Sequence, residues 1–314
     1  MNTEYKTMNF LKLIRFQNLL MLALMQLVFH FLFFKNQTDL ILALANWQFI
    51  LLVIATVSIA AGGYVINNIM DQETDAFSKP KDVIVGKHIS EGMAYNIYAA
   101  LNIIGVGIGF YLSNIIEKPS FAAVFIVVAA TLYIYATNLK QNLLVGNIIV
   151  SLLVAFSIVI VGIFDLYPAT YDGNREQMGL IFSILLDYAL FAFIINFIRE
   201  IVKDIEDMDG DYNSGMSTLP IIIGKERTSK VVFALTFIPI ALLIFYVNTN
   251  LSEIQWVMYY ALLFVLAPLL YFLIKIWSAK SKKEFNHLSL ILKLVMLFGI
   301  LSIVVITLNM KGNA

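Results

Sequence analysis

Long apolar runs separated by short polar breaks dominate the chain. Runs such as 49–61, 121–132 and 143–164 are almost free of charge. With their flanks they are long enough to cross a hydrocarbon core, which needs about 20 apolar residues. Because lipid offers no hydrogen-bond partners to the backbone, such segments must be helical. The pattern therefore predicts an all-α, polytopic membrane protein.

The breaks between the runs divide the chain into nine predicted transmembrane helices. They cover 13–34, 47–70, 93–116, 120–137, 143–164, 178–203, 229–247, 254–276 and 287–309. No Pro-rich or Gly/Ser-rich linker interrupts them, so we expect one domain over 1–314. The expected fold is a single bundle of these helices with a central cavity open to the cytoplasmic side. The first fifteen residues have no small-residue cleavage site, which favours an uncleaved first helix over a signal peptide.

Composition agrees with a membrane protein. Hydrophobic residues make up 60% of the chain, charged residues 13%, and the mean hydropathy is +0.84, whereas a soluble domain is about one quarter charged. The absence of cysteine excludes disulfides and thiolate metal sites. The three histidines, His30, His88 and His287, are far apart in sequence, which argues against a zinc or haem site.

The formal net charge is zero, but the basic residues are unevenly distributed. One side of the predicted bundle has only four of them, and the other side has most of the rest. The sparse side has Lys35, Lys118, Arg175 and Lys311. The rich side has Lys6, Lys12, Arg15, Lys79, Lys81, Lys87, Lys140, Lys203, Lys225, Arg227, Lys230, Lys275, Lys280, Lys282 and Lys283. By the positive-inside rule the N-terminus and the even-to-odd loops are cytoplasmic, in a cytoplasmic (inner) membrane.

Two acidic clusters lie on that same side, after the second and the sixth predicted helix. The segments VINNIMDQETD at 65–75 and IVKDIEDMDGD at 201–211 share a spacing of three and then four residues between polar side chains. Residues spaced in this way lie on one face of a helix. The spaced residues are Asn68, Asp71 and Asp75 in the first segment and Asp204, Asp207 and Asp211 in the second.

Carboxylates at the C-terminal end of a helix need a counter-charge, because the helix dipole there is already negative. Mg²⁺ prefers oxygen ligands and completes its coordination with water and substrate phosphate. Acids at a membrane surface are commonly solvated loop charges, but the matched spacing of two clusters favours a metal site. Five acids are the candidate catalytic residues: Asp71, Asp75, Asp204, Asp207 and Asp211.

Basic residues near both clusters suit a polyphosphate ligand, although the positive-inside rule explains Lys79, Lys81 and Lys140 equally well. A prenyl diphosphate combines an apolar tail with a charged head and so matches acids placed at the end of membrane helices. The expected partners are a prenyl diphosphate, a lipid-soluble acceptor and membrane lipids, with no nucleic acid. Tyr64, Tyr133 and Tyr135 lie near the cytoplasmic helix ends and are candidates to line the pocket.

The segment AAGGYVINNIMDQETDAFSKPKD resembles the first motif of the UbiA superfamily of intramembrane prenyltransferases, which is Asn-Asp, two residues, Asp, three residues, Asp. The segment from Arg199 to Gly224 closely resembles the second motif, including Gly215 and Thr218-Leu219-Pro220. The resemblance implies nine helices and two Mg²⁺ ions on the diphosphate. It assigns metal ligation to Asn67, Asp71, Asp75, Asp204, Asp207 and Asp211. It suggests substrate contacts for Arg15, Asn18, Lys140, Arg199 and Lys203. Their positions beside the first cluster or a cytoplasmic helix end add Asn68, Lys79 and Tyr135 to the predicted substrate contacts. Asn68 departs from the pattern, since the family usually has Asp there.

Within the superfamily the run REIVKDIED resembles most the enzymes that add a second geranylgeranyl group to geranylgeranylglyceryl phosphate. Relatives that prenylate quinone precursors, of the 4-hydroxybenzoate or dihydroxynaphthoate type, share the metal motifs, so the acceptor rests on analogy. Two other classes stay open on the residues alone. A secondary transporter usually has its acids near the bilayer midplane, and a CDP-alcohol phosphotransferase has them in one continuous run, whereas here they are split between the two clusters.

Overall fold

The computed structural model describes residues 3–78, 83–251 and 254–312. The regular elements in these ranges are helical, and a single isolated β-bridge joins Val85 and Ile89. The α-helices are α1 Thr3–Leu13, α2 Phe16–Leu27, α3 Asn46–Met70, α4 Gln72–Ser78, α5 Glu91–Ile115, α6 Ala122–Thr137, α7 Val145–Asp165, α8 Arg175–Asn213, α9 Leu219–Ile223, α10 Lys225–Tyr246, α11 Gln255–Tyr260, α12 Ala267–Ile276 and α13 Lys282–Gly312.

Nine helical segments among the described residues are long and apolar enough to cross a membrane, which confirms the predicted number and fold class. Several of these segments join an α-helix to short π- or 3₁₀-helical turns. They are Phe16–Asn36, Asn46–Met70, Glu91–Ile115, Pro119–Thr137, Val145–Ala169, Arg175–Asn213, Lys225–Leu251, Gln255–Ile276 and Lys282–Asn309.

The sixth spanning helix extends well past its predicted end. The prediction ended it at Lys203 and placed the second acidic cluster in the following loop, but α8 has 39 residues and reaches Asn213. At 1.5 Å per residue it is about 58 Å long, about twice the thickness of a hydrocarbon core. The prediction was wrong because the apolar run ends earlier than the helix does. Polar residues can continue a helix once it has left the lipid.

The end of α8 has the hydrogen bonds of a Schellman motif. The amide of Met216 donates to the carbonyl of Asp211 at 3.0 Å, and the amide of Gly215 donates to the carbonyl of Tyr212 at 3.1 Å. Gly215 has a φ of 71°, a left-handed conformation that glycine adopts without a steric cost. This motif ends the helix at Asn213, two residues after Asp211, so the whole second acidic cluster lies on regular helix.

The first predicted helix is broken near its beginning. Instead of one helix from residue 13, α1 ends at Leu13, Arg15 has a φ of 50°, and α2 begins at Phe16. A left-handed conformation costs a residue with a side chain about 1–3 kcal/mol. No glycine or proline marks this site in the sequence, so the break was missed.

A proline explains one of the three π-helical segments. Residues Ala261–Leu266 form a π-helix directly before α12, in which Pro268 is the second residue. Proline has no amide hydrogen, and its ring collides with the carbonyl four residues earlier. A wider turn before the proline relieves that collision.

The chain folds into two compact units. The first comprises Met1–Leu27, Ile41–Gln141 and Ile160–Phe182, and the second comprises Val28–Leu40, Asn142–Val159 and Ser183–Ala314. In the first unit an apolar core formed by α1, α2, α3, α5 and α6 includes Ile69, which lies two residues before Asp71. In the second unit the core is formed by α8, α10, α12 and α13.

Large apolar side chains cover much of the exposed surface of the spanning helices. In the first unit Ile103 is 71% exposed and Phe110 is 61% exposed. In the second unit Ile274 is 69% exposed and Leu263 is 64% exposed. A soluble protein rarely exposes such surface over large areas, whereas lipid is a favourable solvent for it. The exposed apolar surface therefore agrees with a protein embedded in a membrane.

Close packing of α5 against α6 gives a test of the first unit. A Cβ atom added at Gly109 would lie 2.3 Å from the ring of Phe125, whereas a Cβ atom at Gly107 on the same helix would have nothing within 4 Å. We expect Gly109→Ala to destabilise the protein by about 1–3 kcal/mol through overpacking. Thermal unfolding of the purified protein in detergent measures this effect. Gly107→Ala is the matched control, and an equal melting temperature for the two variants would contradict the packing described here.

Candidate active site

The first acidic cluster lies where α3 meets α4. Asp71 follows the last residue of α3, and its amide donates to the carbonyl of Asn67 at 2.9 Å. The side-chain amide of Asn67 donates to Oδ2 of Asp71 at 2.6 Å. Lys140, in a 3₁₀ turn after α6, forms an ion pair with Oδ1 of Asp71 and lies 3.5 Å from Oδ1 of Asn67. A cation thus already contacts two of the predicted metal ligands.

The predicted metal ligand Asp75 and the predicted substrate contact Tyr135 also lie in the first unit. Asp75 is in α4, and its amide donates to the carbonyl of Asp71 at 2.8 Å, so the helical path continues through the cluster. Tyr135 on α6 is partly buried against the apolar core next to α3. Lys79, a predicted substrate contact, lies outside the described residues.

The predicted pocket residues of α1 and α2 lie against α3. The guanidinium carbon of Arg15 is 5.2 Å from the ring centroid of Tyr64. The amide nitrogen of Asn18 donates to the hydroxyl of Tyr64 at 3.2 Å. The amide nitrogen of Asn68 donates to the backbone carbonyls of Leu13 and Tyr64 at 3.3 Å and 2.8 Å. Tyr64 and Asn68, one turn apart on α3, therefore contact the residues on both sides of the break between α1 and α2.

The second acidic cluster forms a stripe on the last turns of α8. Asp204, Asp207 and Asp211 are all half-buried, whereas Asp209, which lies off the stripe, is exposed. The difference in burial agrees with the predicted helical face. The three carboxylates of the stripe are partly covered by protein, whereas Asp209 is exposed.

Asp204 is held by an asparagine from α7. The side-chain amide of Asn147, which is buried, donates to Oδ2 of Asp204 at 2.8 Å. One turn further along α7, Ser151 accepts a hydrogen bond from Asn196 of α8 at 3.2 Å. Two polar contacts therefore join α7 to α8. The one from Asn147 fixes the predicted metal ligand Asp204.

The first turn of α13 contacts the other side of the same stripe. The ammonium of Lys282 lies 3.6 Å from Oδ1 of Asp207. The side-chain amide of Asn286 donates to Glu206 at 3.0 Å. The end of α8 is thus contacted from α7 on one side and from α13 on the other.

The two predicted phosphate-binding residues of α8 share one carboxylate. Arg199 lies 3.0 Å and Lys203 lies 3.1 Å from the oxygens of Glu200, whose side chain is only 13% exposed. Both cations are partly buried as well. Two positive charges therefore lie next to the acidic stripe in sequence, and Glu200, which we did not predict, forms an ion pair with each of them.

The residues present suit a hard divalent cation. Both clusters offer only carboxylate and amide oxygens, and Lys140 shows that the oxygens of Asn67 and Asp71 converge well enough to hold a positive charge. Within the described ranges no group of three or more His, Asp or Glu side chains converges tightly enough to hold a metal ion alone. Mg²⁺ needs only one or two carboxylates when substrate phosphate supplies further oxygens.

Sequence reasoning missed Asn147 and Lys282, which contact the second cluster, and Glu200, which contacts the cations beside it. Asn147 had a weak signal, since it is a polar residue near the start of an apolar span. Glu200 had a local one, since it precedes Lys203 by three residues on a helix. Nothing in the sequence pairs Lys282 with Asp207, because that contact depends on how α13 packs against α8.

Comparison with known proteins identifies the family. The sequence profile described as the UbiA prenyltransferase family matches residues 19–301. The chain belongs to the UbiA prenyltransferase family. It is 36% identical over 194 residues to digeranylgeranylglyceryl phosphate synthase of Korarchaeum cryptofilum, a match that covers 61% of this chain and 62% of the relative. It is 31% identical over 230 residues to the protein of that name from Sulfurisphaera tokodaii, covering 71% of this chain and 75% of the relative.

Solved UbiA-type structures share the fold. A structure described as that of a digeranylgeranylglyceryl phosphate synthase in membranes is 23% identical, covers 96% of this chain and 98% of its own, and has a TM-score of 0.64. A UbiA homolog from Archaeoglobus fulgidus bound to DMAPP and Mg²⁺ is 15% identical, covers 95% of this chain and 99% of its own, and has a TM-score of 0.58. Membership of the UbiA family decides against the transporter and the CDP-alcohol phosphotransferase.

The contact of Lys140 with Asp71 predicts competition with metal ions. Lys140→Met removes the cation from the oxygens of Asp71 and Asn67, so this UbiA protein should bind Mn²⁺, used in place of Mg²⁺, several-fold more tightly in the absence of substrate. Electron paramagnetic resonance of free Mn²⁺ measures the affinity. Lys118→Met, which removes an exposed lysine from the turn after α5, is the matched control. Equal affinities for the two variants would contradict the ion pair with Asp71.

The hydrogen bond from Asn147 to Asp204 predicts energetic coupling. Asn147→Ala should lower the free energy of unfolding by about 1–3 kcal/mol, because a buried carboxylate loses its donor. The same change should cost much less in an Asp204→Ala background, and thermal unfolding of the four proteins in detergent measures the difference. Equal costs in both backgrounds would show that Asn147 acts on something other than Asp204.

Proposed function

We propose that this chain transfers a geranylgeranyl group from its diphosphate to geranylgeranylglyceryl phosphate, with two Mg²⁺ ions at the two acidic clusters. The observation that carries the proposal is the arrangement within each unit, where spaced carboxylates lie at a helix end and one of them contacts a lysine: Asp71 contacts Lys140, and Asp207 contacts Lys282. The curated relatives support the choice of substrates, since they are named digeranylgeranylglyceryl phosphate synthase.

The six predicted ligands divide between the units. Asn67, Asp71 and Asp75 offer oxygens at the α3–α4 junction. Asp204, Asp207 and Asp211 offer them on α8, where Asn147 fixes the carboxylate of Asp204. When bound, Mg²⁺ neutralises the diphosphate and stabilises it as a leaving group.

Cationic side chains would contact the phosphates next to these ligands. In the proposed complex Lys140 exchanges the carboxylate of Asp71 for a phosphate oxygen. Arg199 and Lys203 keep Glu200 as a counter-ion and direct their remaining donors at the diphosphate. Arginine and lysine are both suited to phosphate, arginine as a planar fork and lysine as a point charge. Lys79 and Tyr135 are proposed as further substrate contacts.

The reaction itself is a substitution at the allylic carbon. The bond from that carbon to the diphosphate oxygen breaks, and the diphosphate leaves with the electron pair. The hydroxyl oxygen of the acceptor forms the new carbon–oxygen bond and loses its proton. A site closed by lipid-embedded helices excludes water that would otherwise capture the allylic cation.

The proposed orientation places both clusters on the cytoplasmic side of the membrane. The helix ends that contain the acids also have most of the lysines and arginines, as the positive-inside rule requires of cytoplasmic segments. In this orientation the charged substrate heads stay in the cytoplasmic interface while their prenyl tails extend into the bilayer.

Loss of one ligand should abolish transfer. Asp71→Asn and Asp207→Asn preserve shape but remove a charge, so each should lower kcat/KM by at least about 100-fold. Purified protein is assayed with geranylgeranyl diphosphate, Mg²⁺ and a panel of acceptors, and the products are identified by mass. Asp172→Asn, in an exposed turn before α8, is the control. Full activity in both cluster variants would refute the metal site, and transfer only to aromatic acceptors would refute the glycerol-phosphate acceptor.

A further inference from the structure

A hydrogen-bonded clamp on α3 fixes the break between α1 and α2. Its two residues, Tyr64 and Asn68, lie one helical turn apart. Asp71 follows three residues after Asn68, on the same face of the helix. The clamp and the beginning of the first acidic cluster therefore lie on consecutive turns of one helical path, since the amide of Asp71 still donates to the carbonyl of Asn67.

The amide group of Asn68 acts as a donor in this clamp. Its nitrogen donates to the carbonyl of Tyr64 at 2.8 Å and to the carbonyl of Leu13 at 3.3 Å. Leu13 is the last residue of α1, and the final carbonyls of a helix have no partner within it. The two acceptors fix the orientation of the amide, since the opposite orientation would place its oxygen against two carbonyl oxygens.

Tyr64 holds the other side of the break. Its ring lies 5.2 Å beneath the guanidinium of Arg15, and its hydroxyl accepts a hydrogen bond from Asn18 at 3.2 Å. Arg15 is the residue with a φ of 50°. A non-glycine residue keeps such a conformation only where its surroundings enforce it. Here the enforcing contacts come from α3, on both sides of the strained residue.

We infer that Asn68 is a positioning residue for the prenyl diphosphate site. It does not take the place of the acid that the family usually has there, because its nitrogen is directed at the backbone of α1. An aspartate cannot donate to the Leu13 carbonyl, so the clamp requires the amide. The inference rests on the proposed function only in giving Arg15 and Asn18 a role beside the diphosphate.

The decisive experiment measures how well the clamp protects the backbone amides near Arg15, and it needs no catalytic assay. Hydrogen exchange of residues 14–19 is followed by mass spectrometry in detergent, since the amides of Asn18 and Leu19 both donate to the carbonyl of Arg15. Asn68→Asp should speed exchange in this segment roughly tenfold, because it replaces the donor by an acceptor. Asn114→Asp is the matched control. That asparagine also donates to the carbonyl four residues earlier, at 2.7 Å, but contacts no other helix through that bond.

Tyr64→Phe covers the case in which Asn68→Asp does not fold. It removes only the hydroxyl that accepts from Asn18, keeps the ring under Arg15, and should also speed exchange at residues 14–19. Unchanged exchange in Tyr64→Phe and in every folded Asn68 variant overturns the inference. Mn²⁺ affinity separates the two possible roles of position 68: an affinity for Asn68→Asp that is raised at least tenfold, with exchange unchanged, assigns the position to the metal.

Kinetics then test positioning against a general loss of stability. In Asn68→Asp the KM for the prenyl diphosphate should rise about three- to tenfold while kcat changes less, since Arg15 and Asn18 contribute to binding. If kcat and the melting temperature both fall while KM is unchanged, the role of Asn68 is merely structural. If no substrate is turned over even by the unaltered protein, the proposed function fails, whereas the exchange result for the clamp still stands.

Discussion

The placement of carboxylates at helix ends, where a negative charge needs a partner that offsets it, is the constraint on which the proposed site depends. Asp71 follows the C-terminal end of α3, where the helix dipole already disfavours a negative charge. Lys140 supplies the missing positive charge. In the second unit Lys282 does the same for Asp207, and Asn147 solvates Asp204. Partly buried charges of this kind persist only where such partners offset their desolvation.

These partners also make the site ready for a charged substrate. A carboxylate that contacts a lysine can exchange it for a metal ion, and the lysine released in this way can contact a phosphate. Glu200 has the complementary role, because it keeps Arg199 and Lys203 in place beside the acidic stripe. Glu200 therefore offsets part of the positive charge that these two side chains place beside the stripe.

Much of the architecture was predictable from local pattern. The nine predicted runs correspond to nine helices, in the described part of the chain, that are long and apolar enough to span a membrane, since a backbone in lipid has few alternatives to a helix. Errors arose where polar residues continue a helix or where tertiary contacts break one. The end of α8 at Asn213 and the break at Arg15 are the two examples. The single-domain organisation, the central cavity and the metal ligands stay predictions, since each depends on how the two units assemble.

The sequence by itself determined the family, the membrane class and the two acidic stripes, because each depends on hydropathy or on spacing along one helix. Only the tertiary structure decided which groups meet those stripes. Asn147 and Lys282 come from helices far away in sequence, and their contacts arise from side-chain packing within the second unit. Asn68 is the clearest case. Its place in the motif made it a predicted substrate contact, whereas in the fold its amide donates to the carbonyl of Leu13.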